Sequence, residues 1–390
     1  MALKIGIGRG VPSFRVMDVI NRANARQLAL PPGAPRLLRM EVGQPGTGLP
    51  AGARQAVADA LRAGDNVMGY TEALGLRTLR ERLSAHIHDW YGTTIAPERI
   101  AVTFGASGAF SLAYLAAFDP GDTLALAAPY YPPYVNIATA LGLKPLILPC
   151  GIETAFQPTV AMLEALPEKP DGLLIASPAN PTGSMLSPEA IAGLARYCHA
   201  NGIRLISDEI YHGLTYGKPV ASAASFSDSA IVINSFSKYF SMTGWRVGWM
   251  VLPEELVRPV ERLAQNFFIS VPHISQIAAE AAFDCHDELE ANRAVYVQAR
   301  EIMAEGLNAA GFKKFSSPDG AFYIYADIAG RAADSAALCD RLLDEAGIAA
   351  TPGYDFDATR GGDFFRLSYC ARLEDVEEAI ERLCRMRLSG

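Results

Sequence analysis

The chain carries 34 basic residues, of which seven are lysines and 27 arginines, and one of the seven lysines has unusual surroundings. Lys238 is the only charged residue between Asp228 and Arg246, and it follows closely on the apolar run 231–234. An ammonium at the end of a buried strand is partly desolvated, which disfavours its charged form and lowers its pKa. A neutral amine on a rigid support is the nucleophile that Schiff-base chemistry with a carbonyl requires. A lysine at a sheet edge can also snorkel into water, so its neighbours must decide between the two uses.

Those neighbours are polar or glycine-containing turns, each placed just after a short apolar run. The runs cover residues 100–104, 123–127, 173–176, 204–207 and 231–234 and are continuous rather than alternating, as strands covered on both faces should be. The turns are Gly105-Ala-Ser-Gly108, Pro129-Tyr-Tyr-Pro132, Ser177-Pro-Ala-Asn-Pro-Thr-Gly183, Asp208-Glu-Ile-Tyr211 and Ser235-Phe-Ser-Lys238. Ligands of open parallel sheets bind outside the carboxyl ends of the strands. Five such turns on one edge therefore describe a single site.

The elements that must carry these turns follow from the same pattern. Between about residues 100 and 250 the apolar runs alternate with helical periodicity, which predicts an α/β fold: a large domain with a mostly parallel sheet wrapped by helices. One helix is marked by Ser187 as N-cap, Pro188 at its first position and Gly202 as its stop. After Pro253 the pattern is mainly helical to about Leu307. A β-type run at 321–327, a helix, a second run at 364–369 and an amphipathic helix from Leu373 predict a smaller α+β domain. The expected division is 48–285 for the large domain and 286–390 for the small one, with 1–47 as an N-terminal arm and part of the small domain.

Composition bounds the remaining possibilities. The 390 residues carry a net charge of 34 − 42 = −8, are 50% hydrophobic and only 19% charged. At ~150 residues per domain this is two or three domains, or one large domain with a companion. Disorder, collagen-like repeats and a disulfide scaffold are excluded. The absence of a basic run argues against nucleic-acid or anionic-membrane surfaces, which need clustered Lys and Arg. The six cysteines are scattered without a CxxC, which fits small buried hydrophobes in a reducing, cytoplasmic setting. The first residues lack a signal-peptide core. The uncharged stretch 100–118 approaches the length of a membrane span, but Gly105, Ser107 and Gly108 break it, so it reads as buried core. His86 and His88 have no accompanying carboxylate cluster, and no metal site is expected.

Taken together, SPANPTG, SDEIY, SFSKYFSMTGWRVGW and FRLSY resemble the fold-type I pyridoxal-phosphate enzymes, specifically the class I/II aminotransferases. The similarity runs from VMDVINRANA and EVGQPG to Arg366. It implies pyridoxal 5′-phosphate as cofactor and transfer of the amino group of an L-amino acid to a 2-oxo acid. By this resemblance Lys238 forms the Schiff base and carries the proton between substrate Cα and cofactor C4′. Asp208 pairs with the pyridine nitrogen, keeping the ring an electron acceptor. Tyr211 and Asn180 hydrogen-bond the phenolic oxygen, and Tyr131 stacks on the ring. Ala106, Ser107 and Gly108, where strand gives way to helix, cradle the phosphate together with Ser235, Ser237 and Arg246. Tyr70 matches a tyrosine that reaches the phosphate from the neighbouring subunit, which implies a homodimer. Arg366 grips the substrate α-carboxylate with its two-pronged guanidinium, aided by Asn180 and the Gly43 backbone. Outside that context each residue has an ordinary use: Asp208 as a helix cap, Asn180 in a tight turn, Arg246 in a surface ion pair, Arg366 on a strand edge.

One departure bears on specificity. Some aspartate-specific relatives carry a lysine in the strand-to-helix turn, whereas this turn reads GASGAF. Arg9 or Arg15 of the N-terminal arm are the remaining candidates for a second carboxylate, and a neutral or aromatic amino donor is the expectation. Three alternatives stand beside this reading. A β-lyase would use the same lysine but need no 2-oxo acid acceptor. A nicotinamide dehydrogenase is suggested by Gly6-Ile-Gly8-Arg-Gly10, but its third glycine comes too early for GxGxxG. A non-catalytic cofactor-binding protein would not need Asn180, Asp208, Lys238, Arg246 and Arg366 together.

Overall fold

A computed structural model describes residues 3–64, 69–328 and 330–386. Its strands in chain order are β1 (Leu38–Arg39), β2 (Ile100–Thr103), β3 (Thr123–Ala128), β4 (Lys144–Pro149), β5 (Gly172–Ala176), β6 (Arg204–Asp208), β7 (Ile231–Ser235), β8 (Gly248–Val251), β9 (Tyr323–Asp327), β10 (Ile348–Ala349), β11 (Thr351–Pro352) and β12 (Phe364–Ser368). Seven of them form one sheet in the order β2-β8-β7-β6-β5-β3-β4. Strands β3 to β7 run parallel, and β8 lies antiparallel between β7 and β2. The sheet is therefore mostly parallel, and the five sequence-derived runs all lie in it.

The continuous apolar runs face two cores at once. In β7, Val232 packs into one cluster while Ile231 and Ile233 pack into another on the opposite face. In β6, Leu205 and Ile206 divide in the same way. Burial on both faces is what allows successive residues to be apolar. The helices needed below are α1 (Arg15–Ala29), α2 (Ala51–Ala63), α3 (Arg77–Tyr91), α4 (Gly105–Ala117) and α5 (Pro133–Ala140). The uncharged stretch at 100–118 is β2 followed by α4. Among the described residues no helix is long and apolar enough to cross a membrane. The helix over Pro188–Ala200 starts as its sequence predicts, with the Ser187 hydroxyl accepting from the Ala190 N–H.

Two strands of this seven-stranded sheet escape the sequence reading. Strand β4 holds Pro145 and Pro149, tolerated because β4 is an edge strand with one side free of partners. Strand β8 has four residues and is reversed, so its first residue lies at the edge where its neighbours end. That reversal brings the preceding Arg246 to the ligand-binding edge of the sheet.

A second, three-stranded antiparallel sheet has the order β11-β12-β9, so β12 and its Arg366 are central rather than at an edge. Strand β9 starts at Tyr323, two residues later than the sequence run, because Ala321 has a left-handed φ of +56°. Strand β1 pairs in parallel with β10, which ties residues 38–39 to this C-terminal part of the chain.

Candidate active site

The chain crosses outward from β3 to β4 and returns with β5 beside β3, so the connections diverge at the carboxyl ends of β3 and β5. This is where open α/β sheets bind ligands. A cavity of about 290 Å³ opens there, and all five turns contribute to its wall: Ala106 and Ser107, Tyr131, Asn180, Asp208 and Tyr211, and Ser237 and Lys238. Arg246, Arg366 and Gly43 line it as well. Gly108 and Ser235 stand behind the wall, where the Ser235 hydroxyl accepts from the Ser237 N–H at 3.1 Å. Tyr70 lies outside the cavity and is exposed.

Lys238 follows β7 into this space, and its Nζ donates to the Gly43 carbonyl at 2.5 Å. Burial lowers its pKa to about 8, with the positive Arg366 and Arg246 adding to the effect while Cys370 and Asp208 oppose it. A Cβ on Gly43 would stand 2.1 Å from the Tyr323 hydroxyl oxygen, so any other residue there would have to displace the Tyr323 ring.

Asp208, at the end of β6, is buried, and this burial raises its pKa to about 6. Two donors hold the carboxylate against that pressure: the Tyr134 hydroxyl and the Ile210 N–H at 3.0 Å. Tyr211 shares a 3.0 Å hydrogen bond with the Tyr323 hydroxyl. Burial pushes the Tyr211 phenol far above its ordinary range, so it stays protonated and able to donate.

At the other end of the cavity α4 begins without a cap. Phe104 makes no side-chain hydrogen bond to it, and its first turn contains no acidic residue. The free N–H groups and dipole of such a helix end favour an anion. Arg246 stands against it, closely enough that a Cβ on Gly105 (φ +64°) would lie 2.5 Å from Arg246 Nη2. Glycine therefore serves both the backbone turn and the approach of the guanidinium.

Arg366 is buried, with its guanidinium carbon 4.5 Å from the Tyr323 ring and 4.8 Å from the Phe356 ring. It donates to Asn180 Oδ1 at 2.8 Å, to the Glu41 carbonyl at 2.6 Å and to Thr351 Oγ1 at 3.2 Å. Its Nε is buried and has no hydrogen-bond partner among the described residues. An unpaired buried donor on a cation costs free energy until an anion meets it.

Sequence reasoning missed Tyr134, Tyr323, Phe356 and the Glu41 carbonyl. For Tyr134 a signal existed: it lies three residues after Tyr131, where the Pro-Pro pair starts α5, and the two rings stack edge-on at 5.4 Å. Tyr323 and Phe356 reach the site from distant segments, and nothing local marks them.

An amine poised for carbonyl chemistry, facing a buried carboxylate in a cavity that ends on an anion-seeking arginine, marks an enzyme that handles small amino or oxo acids. The model of the aminotransferases of class I and II matches residues 35–383, and the chain belongs to that family. It is 44% identical over 387 residues to a valine–pyruvate aminotransferase of Mycobacterium tuberculosis, covering 98% of both chains. Among solved structures, an aminotransferase from Mycobacterium tuberculosis superposes with a TM-score of 0.94 at 44% identity, with 98% of each chain covered. The aspartate aminotransferase of Thermus thermophilus with maleate gives 0.91 at 29% identity, covering 99% of this chain and 100% of that one. The protein is a transaminase: it moves an amino group from an amino acid to a 2-oxo acid.

Proposed function

We propose that the transaminase works with pyridoxal 5′-phosphate bound in the cavity and covalently attached to Lys238. The observation that carries this reading is the lysine itself, the lowered-pKa amine in a cavity shared with Asp208, Arg246 and Arg366. The donor set fits the cofactor. An uncapped helix end beside Arg246 suits a phosphate dianion, a buried carboxylate suits a ring nitrogen that must keep its proton, and the Arg366 guanidinium in the cavity wall suits a substrate carboxylate. When bound, pyridoxal phosphate supplies an aldehyde and a conjugated ring able to accept the electron pair left at the substrate Cα.

The protein's own groups do the rest. Lys238 holds the cofactor and carries the proton to and from Cα. Asp208 keeps the pyridine nitrogen protonated, held in place by Tyr134. Tyr211 and Asn180 donate to the phenolic oxygen, and Tyr131 covers the ring. Ala106, Ser107, Ser237 and Arg246 hold the phosphate, with Gly108 and Ser235 behind them and Ser235 supporting Ser237. Arg366 fixes the α-carboxylate with Asn180 and Gly43, which sets the orientation of the bond to be broken.

The working unit is a homodimer in which Tyr70 serves the phosphate site of the neighbouring subunit. Support comes from the surface: Tyr70 is 81% exposed, and Phe267, Phe268 and Ile269 are exposed as well. The Thr71 N–H donates to Ser270 Oγ, which joins the Tyr70 segment to that apolar strip. The chain divides into a large unit at 48–285 and a small one built from 286–390 and part of 1–47. A cytoplasmic setting agrees with the six free cysteines.

The decisive experiment is borohydride reduction followed by peptide mapping, with a panel of amino donors offered to pyruvate and 2-oxoglutarate. A label on Lys238 and turnover that requires the acceptor are expected. A label elsewhere defeats the lysine assignment, and ammonia release without an acceptor gives the β-lyase the stronger case.

A further inference from the structure

Helix α1 has no cap of its own, because Phe14 at its N-cap position makes no side-chain hydrogen bond. Its first N–H groups are instead satisfied from the far end of the chain. The Asp355 carboxylate accepts from the N–H of Arg15 and of Val16, each at 3.0 Å. A carboxylate in this place meets two of the four orphan donors of the helix and its positive dipole end. Further along, α1 is tied to the same C-terminal part of the molecule by the Arg22–Asp340 and Arg26–Asp344 ion pairs. Ala23 packs beside Leu343 and Ala349.

Docked in this way, α1 and the residue before it present Phe14, Val16, Met17 and Ile20 to the active-site cavity. Residues 16, 17 and 20 share one helical face by their spacing. Phe14 meets the Tyr131 ring edge-on at 5.8 Å. The wall is apolar, and the cations lining the described cavity are Lys238, Arg246 and Arg366, all with roles assigned above. Arg9 and Arg15 are exposed and do not line it.

The turn that carries Asp355 is also joined to the carboxylate end of the site. The Phe356 ring packs on Arg366, and the Phe356 carbonyl accepts from the Tyr130 N–H at 3.0 Å, next to Tyr131. One short segment thus fixes both the arginine for the α-carboxylate and the helix that faces the substrate side chain.

We propose that Asp355 is a positioning residue that sets donor specificity. By capping α1 it holds Phe14, Val16, Met17 and Ile20 as an apolar wall, which selects amino acids with uncharged, medium-sized to large apolar side chains over alanine and over dicarboxylates. The proposal rests on the transaminase reading of the same cavity. Each methylene buried against such a wall is worth about fourfold in kcat/KM, so leucine should exceed alanine by more than tenfold.

The test compares kcat/KM for leucine, alanine and aspartate, with pyruvate or 2-oxoglutarate as acceptor, in the wild type and in Asp355→Ala, Asp355→Asn and Met17→Arg. In Asp355→Ala the leucine-to-alanine ratio should fall by about tenfold, and in Asp355→Asn, which keeps an acceptor for α1, by less. Met17→Arg, at a half-exposed position that tolerates a charge, should raise aspartate relative to leucine. A merely structural role for Asp355 lowers leucine and alanine together and leaves their ratio unmoved, and that outcome overturns the proposal. Aspartate preferred over leucine by the wild type overturns it equally. Failure of the wild type to transaminate any donor would remove the functional reading along with it, whereas an intact alanine reaction with an unchanged ratio removes this proposal alone.

Discussion

Asp208→Asn should abolish useful turnover and yet make the cofactor-free protein more stable. Burial raises the Asp208 pKa to about 6 from its ordinary 3.8, so the fold resists the charge that the chemistry needs. A folded-state pKa above the unfolded value means that the native state is penalised once the group ionises. The penalty grows as pH rises from about 4 to 6 and is complete above 6. At about 1.4 kcal/mol for each pH unit it reaches about 3 kcal/mol at pH 8 and falls to roughly half of that at pH 5. Asparagine has the same shape and can still accept from the Ile210 N–H while donating to the Tyr134 oxygen. Urea denaturation of the cofactor-free proteins should therefore show the variant more stable at pH 8, with the gap narrowing by about half at pH 5. Adding pyridoxal phosphate should reverse the order, because a positively charged ring nitrogen repays the buried carboxylate. A variant less stable than wild type at pH 8, or a gap that ignores pH, would refute the argument that Asp208 is held ionised against its surroundings.

Three further outcomes follow from the same geometry. With the Lys238 amine at about 8 rather than 10.5, its neutral fraction at pH 7 is about 300 times that of a free lysine. Capture of the aldehyde by cofactor-free enzyme, followed by its visible absorption, should accelerate up to about pH 8 and then level, while Lys238→Ala should never develop the band. Arg366→Lys should not rescue Arg366→Ala: a point charge cannot supply the fork, and losing it should cost a few kcal/mol, read as a rise of roughly 100-fold in KM for amino and 2-oxo acids in steady-state assays. Gly105→Ala places a methyl against Arg246 at a left-handed φ. Titration should show pyridoxal phosphate held at least tenfold more weakly, with the fold retained by circular dichroism.

The site could be read from the chain because its chemistry lies at strand ends, and buried parallel strands announce themselves. Val232 and its neighbours serve two cores at once, so the run before Lys238 is apolar without interruption. What stayed hidden depends on tertiary context. Strand β4 is broken by prolines that only an edge position permits. Strand β8 is four residues long, and its reversed direction is set by the partners between which it lies. Asp355 looks like any turn aspartate, yet it caps a helix 340 residues away in sequence. Tyr323 touches Gly43, Tyr211 and Arg366 only after two sheets have come together.

The start of α1, capped from the far end of the chain, has a consequence for how such an enzyme can change over evolutionary time. The groups assigned to bond-making lie at the rim of the large sheet, whereas the proposed donor-facing wall belongs to a separate helix, fastened at its start by Asp355 and farther along by the Arg22–Asp340 and Arg26–Asp344 ion pairs. Mutations can therefore remodel the menu of donors without disturbing the machinery that does the chemistry, and a library confined to positions 14, 16, 17 and 20 is the economical place to start redesign.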